Sequence, residues 1–191
     1  MVGGHDEGAL GPVDEDTYRL AMRHHPGGVA VVTGAGPHGP IGLTVTSLTA
    51  ASLDPPLVSF YLGVRSRSLP TLRSARYFGV NLLGADEHEL AARFARRGVD
   101  RFAPPTRWRP GPHAVPMLDG ATLRMVCGLA DVRPVGDHYL LVGAVHAVEP
   151  GAPGEPLLYA HGEYGRLVPV ARAGDALELP DGYAPAQATR P

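Results

Sequence analysis

Apolar residues along the chain recur at every second position or in short β-branched runs, the pattern of strands rather than helices. Val29 to Thr33 is such a run, and Leu43 and Val45 alternate with Thr44 and Thr46. The Gly/Pro stretch from Gly34 to Pro40 lies between them, so the pair predicts a hairpin. Leu57 to Leu62 and Tyr77 to Leu83 read as strands of the buried type. Ala121 to Val135 and His138 to Val148 are two long strands meeting at Gly136-Asp137, a hairpin turn. Leu157 to Tyr159 and Tyr164 to Val170 are the last two. Helical spacing occurs in three places only. Asp14 or Asp16 caps a short helix with Tyr18, Ala21 and Met22 on its inner face. Leu69 to Ala75 is a second helix, and Asp86 to Arg96 a third, with Leu90, Ala91 and Phe94 inside. Residues 103 to 116 hold five prolines and predict an irregular loop. The fold class is mainly β: a barrel with a few short helices, although the strands alone do not separate a closed barrel from a sandwich.

These elements fall within residues 14 to 170, which read as one domain. Residues 1 to 13 read as a disordered N-terminal tail, and 171 to 191 as a loose C-terminal one. At 191 residues and 44% apolar content the chain can bury a sizeable core. A net charge of −2 leaves no electrostatic footprint for nucleic acid or an anionic membrane. No apolar run approaches the roughly 20 residues that span a bilayer, and the acidic N-terminus does not read as a signal peptide. The one cysteine, Cys127, cannot form an internal disulfide, which points to the reducing cytoplasm. All 17 basic residues are arginine, a composition that we read as coding bias.

Candidate chemistry concentrates between Gly39 and Ser68. After Thr46 the alternation gives way to small and hydroxylic residues: Ser47, Thr49, Ala50, Ala51 and Ser52. Side chains this small let a flat ligand approach the backbone. Asp54-Pro55-Pro56 then fixes a turn. Arg65-Ser66-Arg67-Ser68 sits directly ahead of a helix, where unpaired N–H groups and guanidinium forks receive phosphate. The plainer alternative is an N-capping serine flanked by solvated arginines. Together the two pieces describe a ligand with a flat ring at one end and a phosphate at the other.

Other residues carry two readings each. His138 is either a surface turn histidine or a ligand contact, and Asn81 a core network residue or a ligand contact. Cys127 reads as a buried, inert thiol. Tyr159, His161 and Tyr164 either line a pocket or plug the barrel end. The histidines form no HExxH or Cys/His cluster, so no metal site is expected. There is no GxSxG elbow, and GAGPHG lacks dinucleotide-fingerprint spacing.

The segment TVTSLTAASLDPPLVSFYL followed by RSRS resembles the flavin reductase-like family, the FMN-binding split-barrel proteins. HHPGGVAVVTG, YFGVNLL, LAARFA, the late Cys127, GDHYLLVGAV and PLLYAHGEYGRL match in order, so the resemblance covers about residues 15 to 170. It implies a Greek-key split β-barrel and NAD(P)H-dependent reduction of FMN, with FAD as the alternative and either NADH or NADPH as hydride donor. It places Thr44, Val45, Thr46, Ser47, Ala51 and Ser52 on the flavin ring and ribityl chain, with Asn81 as a further contact. Arg65, Ser66, Arg67 and Ser68 take the phosphate, and His138 the nicotinamide side. It also implies a homodimer and a partner monooxygenase that consumes reduced flavin. Leu43 stands where the family often has Met, an easy apolar exchange. A flavin protein with another redox role, such as an oxygenase or deazaflavin-dependent reductase, and a non-catalytic dimeric barrel are the alternatives.

Overall fold

A computed structural model describes residues 11–170; most of the predicted N-terminal tail and all of the C-terminal one lie outside the described residues. In chain order the elements are α1 (Glu15–Met22), β1 (Gly27–Gly28), β2 (Ala30–Gly36), β3 (Gly39–Val45), β4 (Thr49–Leu53), β5 (Pro56–Gly63), α2 (Leu69–Ser74) and β6 (Tyr77–Leu83). They continue with α3 (His88–Ala95), β7 (Trp108–Pro110), β8 (Pro116–Leu118), β9 (Ala121–Val135), β10 (His138–Pro150), β11 (Leu157–Ala160) and β12 (Glu163–Arg166).

Seven strands form one antiparallel sheet in the order β3-β2-β6-β9-β10-β5-β4. The sheet curls until the end of β3 meets β5, where the Tyr61 N–H donates to Ser47 Oγ at 3.0 Å. Its inner face is one core built around Phe60, Phe78, Leu72, Val32, Val80 and Leu141, all fully buried. Each large side chain buried there contributes roughly 1.5–3 kcal/mol. Strand β2 is buried on both faces at its start, because Val31 on its outer side, with Val29 just ahead of the strand, packs under Ala91 and Phe94 of α3. That two-sided burial explains why the run from Val29 to Val32 is continuously apolar rather than alternating.

Two features hold the functional region in place. Gly42 on β3 lies so close to α3 that a Cβ there would stand 2.6 Å from the Phe94 ring. The β9–β10 hairpin turns in two residues, with Gly136 at φ 58°.

Three expectations need correction. Residues 103 to 116 are not wholly irregular. Trp108–Pro110 pairs with Pro116–Leu118, and both prolines of the Pro110–Pro116 pair sit at the end of the ladder where no N–H is required. Helix α1 is capped by Asp14 as expected, its Oδ1 accepting from the Thr17 N–H at 2.9 Å. It has no inner face, however: Tyr18 is 58% and Leu20 63% exposed, because the structure holds the segment chiefly at its far end, where Arg23 and His161 exchange hydrogen bonds. The final strand stops at Arg166 rather than Val170.

Candidate functional site

A groove runs along the seam where β3 approaches β5. At one end it is a shallow cavity of about 340 Å³ bordered by Thr46, Ser47, Tyr61, Gly63 and His138. At the other it deepens to about 440 Å³ between the Arg65–Ser68 turn and the residues that follow α3. Leu43, Thr44, Gly63 and Ser66 border both parts, so the groove is continuous.

The sequence explains each wall. Val45 turns into the core, so it offers the groove only backbone. Thr44 points the other way, and its hydroxyl donates to the Ala91 carbonyl at 2.6 Å, which ties β3 to α3. Thr46 is exposed at the strand end. Ser47 braces β5 through Tyr61, and its small side chain keeps the seam open.

His138 opens β10 directly after the turn and pairs with Gly63 across the sheet. Its Nδ1 lies 2.7 Å from Asp137 Oδ1, and Nε2 lies on the Gly63 side. That hydrogen bond first, and the imidazole charge second, hold the Asp137 carboxyl below the usual carboxylate range. A carboxylate at Nδ1 favours the proton there and leaves Nε2 for the groove.

At the deep end Arg65 and Arg67 are exposed, Ser66 is half-buried and Ser68 is buried. Ser68 makes no side-chain cap to α2, which removes the plain capping role. Helix α2 has only six residues, so the seat rests on guanidinium and hydroxyl groups more than on a macrodipole.

Two more arginines face this cavity, Arg97 and Arg101. Arg101 is half-buried and donates from Nη1 to the Gly42 carbonyl at 2.9 Å and from Nη2 to the Arg96 carbonyl at 2.6 Å. Its Nε is buried with no hydrogen-bond partner among the described residues. Burial, and then the nearby Arg67 charge, hold the Arg101 guanidinium below its ordinary pKa. No Asp or Glu among the described residues borders the cavity. The sequence signal was the arginine-rich RRGVDR after α3. It reads as a solvated helix end until the fold brings it opposite Arg67.

Several expected residues stand elsewhere. Asn81 is fully buried in the core network and makes no groove contact. Its Nδ2 donates to the Val31 carbonyl at 3.1 Å and Thr33 Oγ1 at 3.3 Å, while Oδ1 accepts from the Leu118 N–H at 2.9 Å. Ala51 and Ser52 lie on β4 and border neither part of the groove, because β4 runs back along the outer side of β5. Tyr164 borders a separate cavity of about 630 Å³ behind α3, and His161 sits in the β11–β12 turn. Cys127 is buried among core residues, and burial pushes its thiol up to about 12.

A groove with backbone groups and small hydroxyls at one end and four guanidiniums at the other fits a phosphorylated, ring-bearing ligand. The orphaned Arg101 Nε and the acid-free lining are the observations that ask for an anion.

Comparison with known proteins points the same way. The family model for the flavin reductase like domain matches residues 22–168. The chain is 41% identical over 159 residues to an NADH:FMN oxidoreductase of Rhodococcus erythropolis, covering 81% of this chain and 83% of that protein. It is 32% identical over 159 residues to the reductase subunit of a flavin-dependent monooxygenase of Mycobacterium tuberculosis, covering 82% and 84%. Among solved structures it is similar to an NADH:FAD oxidoreductase of Streptomyces globisporus in complex with NAD and FAD fragments. The TM-score there is 0.77 at 31% identity, covering 83% of this chain and 96% of that one.

Proposed function

Because the chain belongs to the flavin reductase like domain family, we propose that it is an NAD(P)H-dependent flavin reductase that supplies reduced flavin to a separate monooxygenase. The observation that carries this reading is the single groove joining His138 and Ser47 to a cluster of arginines. When bound, the flavin supplies the ring that accepts hydride from the nicotinamide.

The chain's own work is positional. Thr44 to Ser47 present backbone and small side chains against which a flat ring is held. Backbone N–H groups there would stabilise negative charge on a reduced ring. Arg65, Ser66, Arg67 and Ser68 hold the phosphate, and Arg101 joins them from the opposite wall. His138, oriented by Asp137, offers Nε2 to the carboxamide or the face of the nicotinamide without passing on a proton. Fixing two rings at reacting distance is worth up to roughly 7–11 kcal/mol, so no protein nucleophile is required.

A homodimer fits the uncovered apolar residues of α1, which a second copy would bury. Placement in the cytoplasm fits the single, buried thiol. Among the described residues no helix is long and apolar enough to cross a membrane.

Steady-state oxidation of NADH with and without added FMN tests the reading, and flavin-independent or absent turnover would reject it. His138→Ala is expected to leave flavin affinity, read by fluorescence quenching, near wild type. Single-turnover reduction should slow about tenfold, the value of one hydrogen bond of about 1.4 kcal/mol. An unchanged reduction rate would make His138 a turn residue only.

A further inference from the structure

The cavity of about 630 Å³ behind α3 shares only Val99 with the groove. Helix α3 stands between the two, with Phe94 and Ala95 toward the groove and Ala92 and Arg93 toward the cavity. The cavity wall carries both signs of charge. Glu87 and Glu89 lie near the start of α3, Arg93 and Arg96 near its end, and Arg107 on the loop beyond.

Among the described residues none of these five makes an ion pair. Glu89 and Arg93 stand four residues apart on one helix, a spacing that ordinarily brings acid and base together. Here Arg93 is drawn aside, because its Nη2 donates to the carbonyls of Asp100 at 2.8 Å, Ala103 at 3.1 Å and Pro104 at 3.3 Å. Its Nε is buried with no hydrogen-bond partner among the described residues. Glu87 is half-buried, and Gly120 leaves it room: a Cβ there would stand 2.4 Å from Glu87 Oε1. Between the acidic and basic ends the wall is apolar, with Leu90, Val99 and Pro105.

We propose that this cavity binds a small zwitterion, an amino carboxylate with several carbons between its two charges. Its ammonium sits on Glu87 and Glu89, its carboxylate on Arg93 and Arg96, and its chain along Leu90 and Val99. Opposite charges held apart in a concave site favour a ligand that carries both. A singly charged molecule serves one end and leaves the other without a partner. Arginine suits the carboxylate end, since its planar fork takes both oxygens. The spacing sets the length. At about 1.5 Å of rise per residue, Arg93 lies about 6 Å further along α3 than Glu89. An α-amino acid, with its charges on one carbon and its neighbour, is too short to serve both ends.

The test is isothermal titration calorimetry near neutral pH on the full chain, with and without saturating FMN. The probes are 6-aminohexanoate, hexanoate, hexylamine and glycine. The first is expected to bind about tenfold more tightly than each of the others, one charge-assisted contact converted to affinity. Glu87→Gln should weaken 6-aminohexanoate about tenfold and hexanoate less than twofold. Arg96→Gln should weaken 6-aminohexanoate about tenfold and hexylamine less than twofold. Neither side chain is held in an ion pair within the described residues, so both variants should melt with wild type. FMN should leave the affinity for 6-aminohexanoate within twofold. No binding of 6-aminohexanoate at millimolar concentration, equal binding of all four probes, or displacement by FMN each overturns the site. None of these results bears on flavin binding in the groove, which the separate FMN assays decide.

Discussion

Replacing Asn81 with leucine separates a core role from a ligand role. The amide is fully buried, and three protein groups depend on it: the Val31 carbonyl, the Thr33 hydroxyl and the Leu118 N–H. Thr33 keeps its bond to the Pro116 carbonyl at 2.6 Å, so it loses least. The Leu118 N–H has no such reserve. Leaving one buried N–H unpaired costs about 1–3 kcal/mol, and the weakened carbonyl adds about 0.5–1.5. A total of about 1.5–4.5 kcal/mol is a large share of the roughly 5–15 kcal/mol that holds a domain of this size folded. It should lower the melting temperature by about 3–18 °C, at about 2–4 °C per kcal/mol. The assay is urea and thermal unfolding beside FMN titration at a temperature where the variant is folded. The expected result is a lower urea midpoint with FMN affinity within about twofold of wild type. Unchanged stability with a large loss of FMN affinity would refute the buried-network argument and return Asn81 to the ligand.

Ser47→Trp should fill the seam beside Tyr61 and abolish flavin binding while the circular dichroism spectrum is unchanged; ordinary flavin affinity would remove this seam from the site. Cys127 should resist thiol reagents at pH 8 in the native protein and react once unfolded. A thiol near 12 in the fold, against an ordinary 9.0, lowers the thiolate fraction by about a thousandfold. The same shift means that folding favours the protonated thiol. This contribution to stability is therefore level below about pH 9 and declines as pH rises from there toward 12.

The strands were legible because each carries its own period. β6 matches its expected bounds at Tyr77 and Leu83, and the two-residue turn at Gly136-Asp137 joins β9 to β10 as the glycine demands. What failed to show was tertiary. Nothing in TYRLAM says that Tyr18 and Met22 lack a surface to cover, because amphipathic spacing records a face and not its partner. Asn81 could be placed in a strand but not on a side of it, since the apolar run in β6 is buried on both faces and gives no alternation to read. The groove end at Arg65 to Ser68 was visible as a local cluster. Its opposite wall was not, because Arg97 and Arg101 are more than 25 residues away in sequence and reach the site only through the packing of α3 on Gly42.

The arginine-only composition governs proton linkage at the deep end of the groove. Its charged walls are four guanidiniums, and among the described residues no histidine, cysteine or carboxylate borders them. An arginine keeps its proton across the whole range in which a protein is handled, whereas a lysine begins to lose charge toward pH ~10. The pocket is thus a receptor of constant charge, and any proton exchanged on binding must come from the ligand. A monophosphate, with its second ionisation near pH ~6, would show a single step in affinity there. A diphosphate diester, having no such ionisation, would bind with a flat profile through neutral pH, so the proton count alone would tell which of the two the pocket holds.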